Sequence, residues 1–301
     1  MIISYKIHTV SPYINWIYFF HAWGFQPRFA AIAHIHGCDA CRAMWLTSFP
    51  EEERGKASEA MQLFKEANRM LDSLDRDYEV KTLFKLCKAN ADGDNLLMEE
   101  RTSGVTLTLP LLRQQTPKKE GGPFLCLSDF VRPASSGVAD IVGVFAASID
   151  ADMEGLYKQD PYKHLLVQTL SDRLAEAATE KMHEYVRKEA WGYAKDEHLS
   201  IADLLVEKYQ GIRPAVGYPS LPDQSVNFLL DELLDMQQIG ISLTENGAMY
   251  PHASVCGLMF AHPAAEYFAV GKIGNDQLED YARRRGKSVE EIRKFLAANL
   301  Q

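Results

Sequence analysis

Between Ile212 and Pro222 the chain places an arginine, a glycine, a tyrosine and three prolines within eleven residues. Proline lacks an N–H and has a fixed φ, so neither a helix interior nor a central strand accepts that spacing. The segment must be an ordered loop, and its neighbours must be arranged around it. Arg213 offers a planar donor fork for a carboxylate. Gly217 lets another group approach the backbone closely. The prolines hold the loop in one shape before a ligand arrives, which lowers the entropy cost of binding. A stiff connector between two elements is the alternative, but loops carry function out of proportion to their length.

The chain around this loop has 301 residues, 47% hydrophobic and 24% charged, which is the composition of one large globular domain or two small ones. A net charge of -9 argues against general nucleic-acid binding. Five cysteines, an odd number, do not form a disulfide framework and suit a reducing compartment, so a cytoplasmic location is expected. The apolar run at 14–20 is short, contains Asn15 and is followed by His21, so it predicts neither a membrane span nor a signal peptide.

Taken in order, residues 2–10 read as an irregular leader. Residues 11–24 read as a buried amphipathic segment with Tyr13, Trp16, Ile17, Phe20 and Trp23 at helical spacing. Residues 30–42 carry His34, His36, Cys38 and Cys41. This H-x-H-x-C-x-x-C pattern offers four metal ligands, but structural zinc sites usually use two separated pairs that close a loop. The expectation is a turn into a helix, without metal. Residues 51–74 predict a strong helix with Ala60, Leu63, Phe64, Ala67, Met70 and Leu71 on its apolar face.

Residues 80–148 turn β-rich. A turn cluster at 91–95 is followed by a hairpin of 96–100 with 105–109 across 101–104, and 124–127 and 139–147 are further candidate strands. Residues 117–123 read as a loop. Pro161 opens a helix to about 188, with Leu166, Leu170, Leu174, Ala177, Met182 and Tyr185 lining its core face. Asp172 and Glu176 sit four apart and share another face, ordinarily a solvated stripe unless something faces them. Ser200 caps a helix with Asp203 at its third position and Gly211 at its end. Residues 223–238 predict a helix stopped by Gly240, and 254–260 and 266–272 a pair of adjacent strands. Two short helices close the chain, the second with a capping box of Ser288 and Glu291.

The ordered motifs resemble one family, the C-terminal activation domain of cobalamin-dependent methionine synthase. They are Leu112-Arg113-Gln114-Gln115, Asp129-Phe130, Asp172-Arg173-Leu174-Ala175-Glu176-Ala177, Trp191-Gly192-Tyr193, Tyr209-Gln210-Gly211-Ile212-Arg213-Pro214-Ala215 and Gly217-Tyr218-Pro219. Leu243-Thr244-Glu245, Ala253-Ser254-Val255, His262-Pro263 and Glu279-Asp280-Tyr281-Ala282-Arg283-Arg284 complete the series. The resemblance spans essentially the whole chain and is loosest over 24–90. It implies an α+β, C-shaped single domain over 1–301, with a twisted, largely antiparallel sheet flanked by helices. The helical part would occupy about 1–80, and the sheet with further helices about 81–301.

The resemblance further implies binding of S-adenosylmethionine by Asn15, Glu176, Arg213, Ala215, Gly217, Tyr218, Tyr267 and Phe268. Asp172 would receive the displaced histidine ligand of a cobalamin-binding module. The cofactors implied are S-adenosylmethionine and a cobalamin held by that module, which belongs to methionine synthase or another corrinoid protein. A flavodoxin-like protein would donate the electron that lets cob(II)alamin be methylated again. The activation domain alone is not expected to make methionine. No catalytic residue and no resident metal are implied, since cobalt is itself the nucleophile, and neither nucleic acid nor membrane is an expected partner. Where the family motif reads Tyr-Ile-Asp-Trp, this chain has Tyr13-Ile14-Asn15-Trp16, which predicts weaker binding or, alternatively, a docking module that does not catalyse. Met1 stands close to this motif, so a separately encoded activation protein is expected. The basic run at 283–287 reads as a solvated helix end, or as a patch that steers an acidic electron donor.

Overall fold

The computed structural model describes residues 1–100, 103–117 and 121–300. Arg101 and Thr102 of the expected hairpin turn, and part of the 117–123 loop, lie outside the described residues. In chain order the elements are β1 (Ile2–Lys6), α1 (Ile7–Val10), α2 (Trp16–Ala22), α3 (Asp39–Thr47), α4 (Arg54–Leu74), β2 (Glu79–Asp92), β3 (Asn95–Glu100) and β4 (Thr106–Pro110). They continue with β5 (Asp140–Ile149), α5 (Pro161–Tyr185), α6 (Ile201–Leu205), α7 (Val226–Leu234), β6 (Ser242–Leu243), β7 (Met249–Tyr250), β8 (Ser254–Met259), α8 (Asn275–Arg285) and α9 (Val289–Phe295).

The sheet runs β4-β3-β2-β5-β8, with every pairing antiparallel. One edge of the long β2 pairs with β5, and its other edge is shared end to end by β1 and β3. The side-chain period of two then divides the core. Val80 and Phe84 of β2, Phe145 and Ile149 of β5 and Met259 of β8 face a core closed by α1, α2, α4 and α5. Leu83 and Cys87, Val142 and Val144, and Cys256 and Leu258 face the opposite core, which α7, α8 and α9 cover. Because β5 is buried on both faces, its sequence shows almost no polar alternation.

Several expectations change. Residues 2–10 are not an irregular leader, because Ile2–Lys6 pairs with residues 79–83 as β1. The 11–24 helix is broken, since the Asn15 side chain accepts the N–H of Ile17 at 3.1 Å and starts α2 in a new phase. That phase buries Phe19 and Phe20 and leaves Ile17 exposed. Residues 124–127 form no strand; the Asp129 carboxylate takes the N–H of Cys126 and winds Leu127–Phe130 into a 3-10 turn. The helix capped by Ser200 stops at Leu205, well before Gly211, where Glu207 turns left-handed at φ 59°. The 223–238 helix reduces to α7 because Asp235 also adopts a left-handed φ. Residues 266–272 are not a strand but extended chain, tied down by Gln114 to the Ala269 carbonyl and by the Val270 N–H to the Pro219 carbonyl. At Ser288 only half the box forms, as Glu291 turns to Lys287 instead.

The proline-rich segment itself pairs with β8. Ile212 and Phe260 exchange two backbone hydrogen bonds, Leu258 N–H donates to the Pro214 carbonyl, and Val216 N–H donates to the Cys256 carbonyl. This contact requires Gly257, where an added Cβ would lie 2.3 Å from the Pro214 oxygen and 2.8 Å from Ala215 Cα. We predict that Gly257→Ala lifts the segment from β8 and lowers stability by about 1–3 kcal/mol, read by urea unfolding. An unchanged midpoint would show that the contact is dispensable.

Candidate functional site

Laying 212–216 along β8 creates a cleft of about 810 Å³. Its floor is Phe145 of β5 and Val255 of β8, and one wall is α5, through Arg173, Glu176, Ala177, Thr179 and Glu180. The facing wall is Arg213, Pro214, Ala215, Tyr218, Pro219 and Ser220, with Tyr267 and Phe268 behind. Asn15, Tyr18, Leu204, Leu205 and Glu207 complete the lining. Clefts in this size range accommodate nucleotide-sized ligands.

Strand alternation decides what the segment shows to the cleft. The main chain of Ile212, Pro214 and Val216 is bonded to β8, so that of Arg213 and Ala215 turns away from it. Arg213 N–H is taken by the Tyr267 hydroxyl at 2.9 Å. The Arg213 side chain donates through Nη2 to Glu180 Oε2 at 3.0 Å and through Nη1 to His183 Nδ1 at 3.2 Å. Among the described residues its Nε–H and the second hydrogens of both Nη atoms have no hydrogen-bond partner. Burial pulls the guanidinium down, but Glu180, Tyr209 and Tyr267 outweigh it and hold it firmly charged.

The charges of the cleft do not balance. Arg173 pairs with Glu176 at 2.9 Å and Arg213 with Glu180 at 3.0 Å, while Glu207 is a third carboxylate. Partial desolvation pushes the Glu207 carboxyl up, Arg213 pulls it down, and Glu180 pushes it up again. The second oxygen of Glu180, Oε1, is buried 4.0 Å from Arg187 Nη1, with no hydrogen bond among the described residues. Among the side chains that line the cleft, three carboxylates stand against two guanidiniums.

The sequence profile described as vitamin B12 dependent methionine synthase, activation domain, matches residues 6–286. The chain belongs to this family. A solved structure, the MetH reactivation domain bound to AdoHcy, matches with 39% sequence identity and a TM-score of 0.86, covering 100% of this chain and 90% of that one. This is therefore an activation domain of cobalamin-dependent methionine synthase, a methyltransferase system, and the cobalamin-binding module is its partner.

In this activation domain the cleft gathers Asn15, Glu176, Arg213, Ala215, Tyr218, Tyr267 and Phe268, seven of the eight residues expected from sequence. Gly217 is not among the lining residues. Its left-handed φ of 87° makes the turn, and its N–H is used by the Leu221 carbonyl. Tyr218 donates to Glu176 Oε1 at 3.3 Å and so joins the two walls. Tyr267 acts first through its hydroxyl, by fixing Arg213, rather than as a flat surface alone. The Phe268 main chain is clamped by the Ser220 hydroxyl on both its carbonyl and its N–H. Asp172 is exposed one turn before Glu176 and outside the cleft lining; desolvation at its position pushes its carboxyl up, Arg173 opposes, and Glu176 adds to the push. Sequence reasoning missed Glu180 and Glu207. Glu180 extends the 172–176 spacing by four more residues, so helical periodicity held the signal. Nothing in the sequence marked Glu207.

Behind the wall lies a buried charged network. Arg187 is fully buried, held by Glu197 at 2.7 and 2.9 Å, and donates to His183 Nδ1 at 2.8 Å. Nδ1 thus accepts from two guanidiniums, which places the imidazole proton on Nε2. Burial, then Arg213 and Arg187, hold His183 well below its ordinary 6.5. The unfolded chain protonates His183 below about pH 6.5 and the folded chain does not. The unfolded state therefore binds more protons in that window, and stability falls with falling pH by up to about 1.4 kcal/mol per pH unit. We predict that urea unfolding between about pH 5 and 8 shows this slope, and that His183→Gln, which keeps an acceptor, flattens it. An identical slope in the variant would assign it elsewhere.

Proposed function

We propose that this domain binds S-adenosylmethionine in the cleft and presents it to a cobalamin held by the partner module, so that inactive cob(II)alamin is returned to methylcobalamin. The observation that carries this reading is the negative excess of the cleft around Arg213. S-adenosylmethionine bears a carboxylate, an ammonium and a sulfonium, a net single positive charge. Arg213 has donors left for the carboxylate. Glu180, whose Oε1 lies 4.0 Å from Arg187 and has no hydrogen bond among the described residues, adds negative potential to the same wall. Glu176 and Glu207 supply negative potential, and the Tyr18, Tyr218 and Tyr267 rings attract cations. A 39% identical relative holds AdoHcy, which has the same adenosine and amino-acid arms.

When bound, S-adenosylmethionine supplies an electrophilic methyl group. The chain's own task is positioning and exclusion of water, not proton transfer. No general base is required, and the domain alone is not expected to form methionine. Asp172, exposed beside the cleft, is the proposed contact for the displaced histidine of the cobalamin module. A flavodoxin-like electron donor and a cytoplasmic location complete the proposed setting. Among the described residues no helix is long and apolar enough to cross a membrane. Within the basic run at 283–287 the cations have acidic neighbours, while Arg283 stays 77% exposed. Arg283 and Arg284 pair with Asp280, Arg285 with the buried Asp223, and Lys287 with Glu291.

The direct test is recovery of methylcobalamin from cob(II)alamin on a cobalamin-module protein, given a reductant, S-adenosylmethionine and this chain. Recovery that depends on the chain and falls with Arg213→Ala is expected; recovery indifferent to the chain would reject the role.

Asn15 supports a second reading, a docking module with little ligand affinity. Asn15 lines the cleft and caps α2, but it brings no charge. Aspartate caps equally well, so Asn15→Asp isolates the charge. A charged partner in place of a neutral one is worth roughly 0.5–2 kcal/mol, about 2- to 30-fold in affinity. Calorimetric titration with S-adenosylmethionine is expected to show that gain. Equal affinities would exclude it, and no saturable binding at millimolar ligand would favour docking alone.

A further inference from the structure

Among the described residues, one cluster of metal-ligating side chains away from the cleft is used by neither the fold nor the site. His36, Cys38 and Cys41 bring one imidazole nitrogen and two sulfurs within 4.8 Å of one another. His36 and Cys38 are exposed and Cys41 is half-buried. The backbone preforms the arrangement at the start of α3. Cys41 N–H donates to Cys38 Sγ at 3.4 Å, and Cys38 N–H donates to His36 Nδ1 at 3.4 Å. Cys38 stands at the N-cap of α3, where serine, threonine, aspartate or asparagine would serve better, so capping does not account for a thiol there.

We propose that His36, Cys38 and Cys41 form a solvent-facing zinc site whose fourth position is open to water. Zn–S distances of about 2.3 Å and Zn–N distances of about 2.0–2.1 Å place tetrahedral donors about 3.5–3.8 Å apart. Donors already within 4.8 Å reach that spacing by small side-chain rotations. Two thiolates neutralise the dication, and loading releases the protons of both thiols, so affinity rises with pH. The nearby Arg42 charge is met by Asp39 at 3.9 Å. His34, the remaining member of the H-x-H-x-C-x-x-C pattern, lies outside the cluster, at the end of the 3-10 turn Pro27–His34. The absence of a second ligand pair, which argued against a closed structural site, is what an open three-donor site requires.

The variants are expected to fold, because α3 is anchored by aromatic packing: Trp45 meets Phe49 at 4.9 Å and Phe49 stacks on Phe29 at 5.2 Å. Chelator-treated, reduced full-length chain is titrated with Co²⁺ and then with Zn²⁺, and circular dichroism verifies the fold of each variant. Expected are the strong visible bands of tetrahedral cobalt and a near-ultraviolet thiolate charge-transfer band, both lost on adding zinc. Cys38→Ser and Cys41→Ser should each weaken zinc about a hundredfold or more, and His36→Ala about tenfold or more. No saturable cobalt spectrum, or equal affinity in all four proteins, would overturn the site. So would a Cys38–Cys41 disulfide whose reduction yields no metal uptake.

Discussion

The pairing of Arg213 with Glu180 is the contact on which the cleft depends. It joins the proline-rich segment to α5 across a wall whose Arg213 and Glu180 side chains are only 15% and 8% exposed. Breaking a buried pair from one side costs about 3–5 kcal/mol, because the remaining charge is stranded. The pair is braced from behind by a neutral histidine that accepts from two guanidiniums at once. Arg213 is therefore held in one orientation at the cleft wall.

This arrangement ties recognition to folding. The register of the segment on β8 turns Arg213 and Ala215 to the cleft, and that register depends on Gly257 having no side chain. A glycine outside the cleft lining thus governs the site more directly than Gly217, whose added Cβ would meet nothing within 4 Å and whose φ of 87° serves a turn.

Much of this was legible beforehand, and the misses share a cause. Proline spacing marked the segment, and the family motifs marked most of the residues around the cleft. What stayed hidden depended on partners distant in sequence. Ile2–Lys6 carries too little pattern to announce a strand until β2 offers an edge. The 11–24 helix failed because one side-chain cap at Asn15 overrode a plausible apolar period. The run at 283–287 read as a solvated helix end or a patch, and composition could not show the neighbours of each charge; Arg285 is neither, being 2% exposed against Asp223 at 1%. Glu180 was one helical step beyond two acids already marked, but periodicity does not say which rung of an acidic ladder is buried.

The pairing of residues 212–216 with β8 has a further effect, on association between molecules. A sheet edge with free N–H and C=O groups invites strands from other chains. Here β8 is covered by a strand-like segment that cannot pass the ladder on: the outward N–H of Arg213 is already held by Tyr267, and the outward carbonyl of Ala215 accepts the N–H of Tyr218. The same stretch that shapes the binding wall therefore terminates the sheet, and protects it from edge-to-edge growth during synthesis and at high concentration.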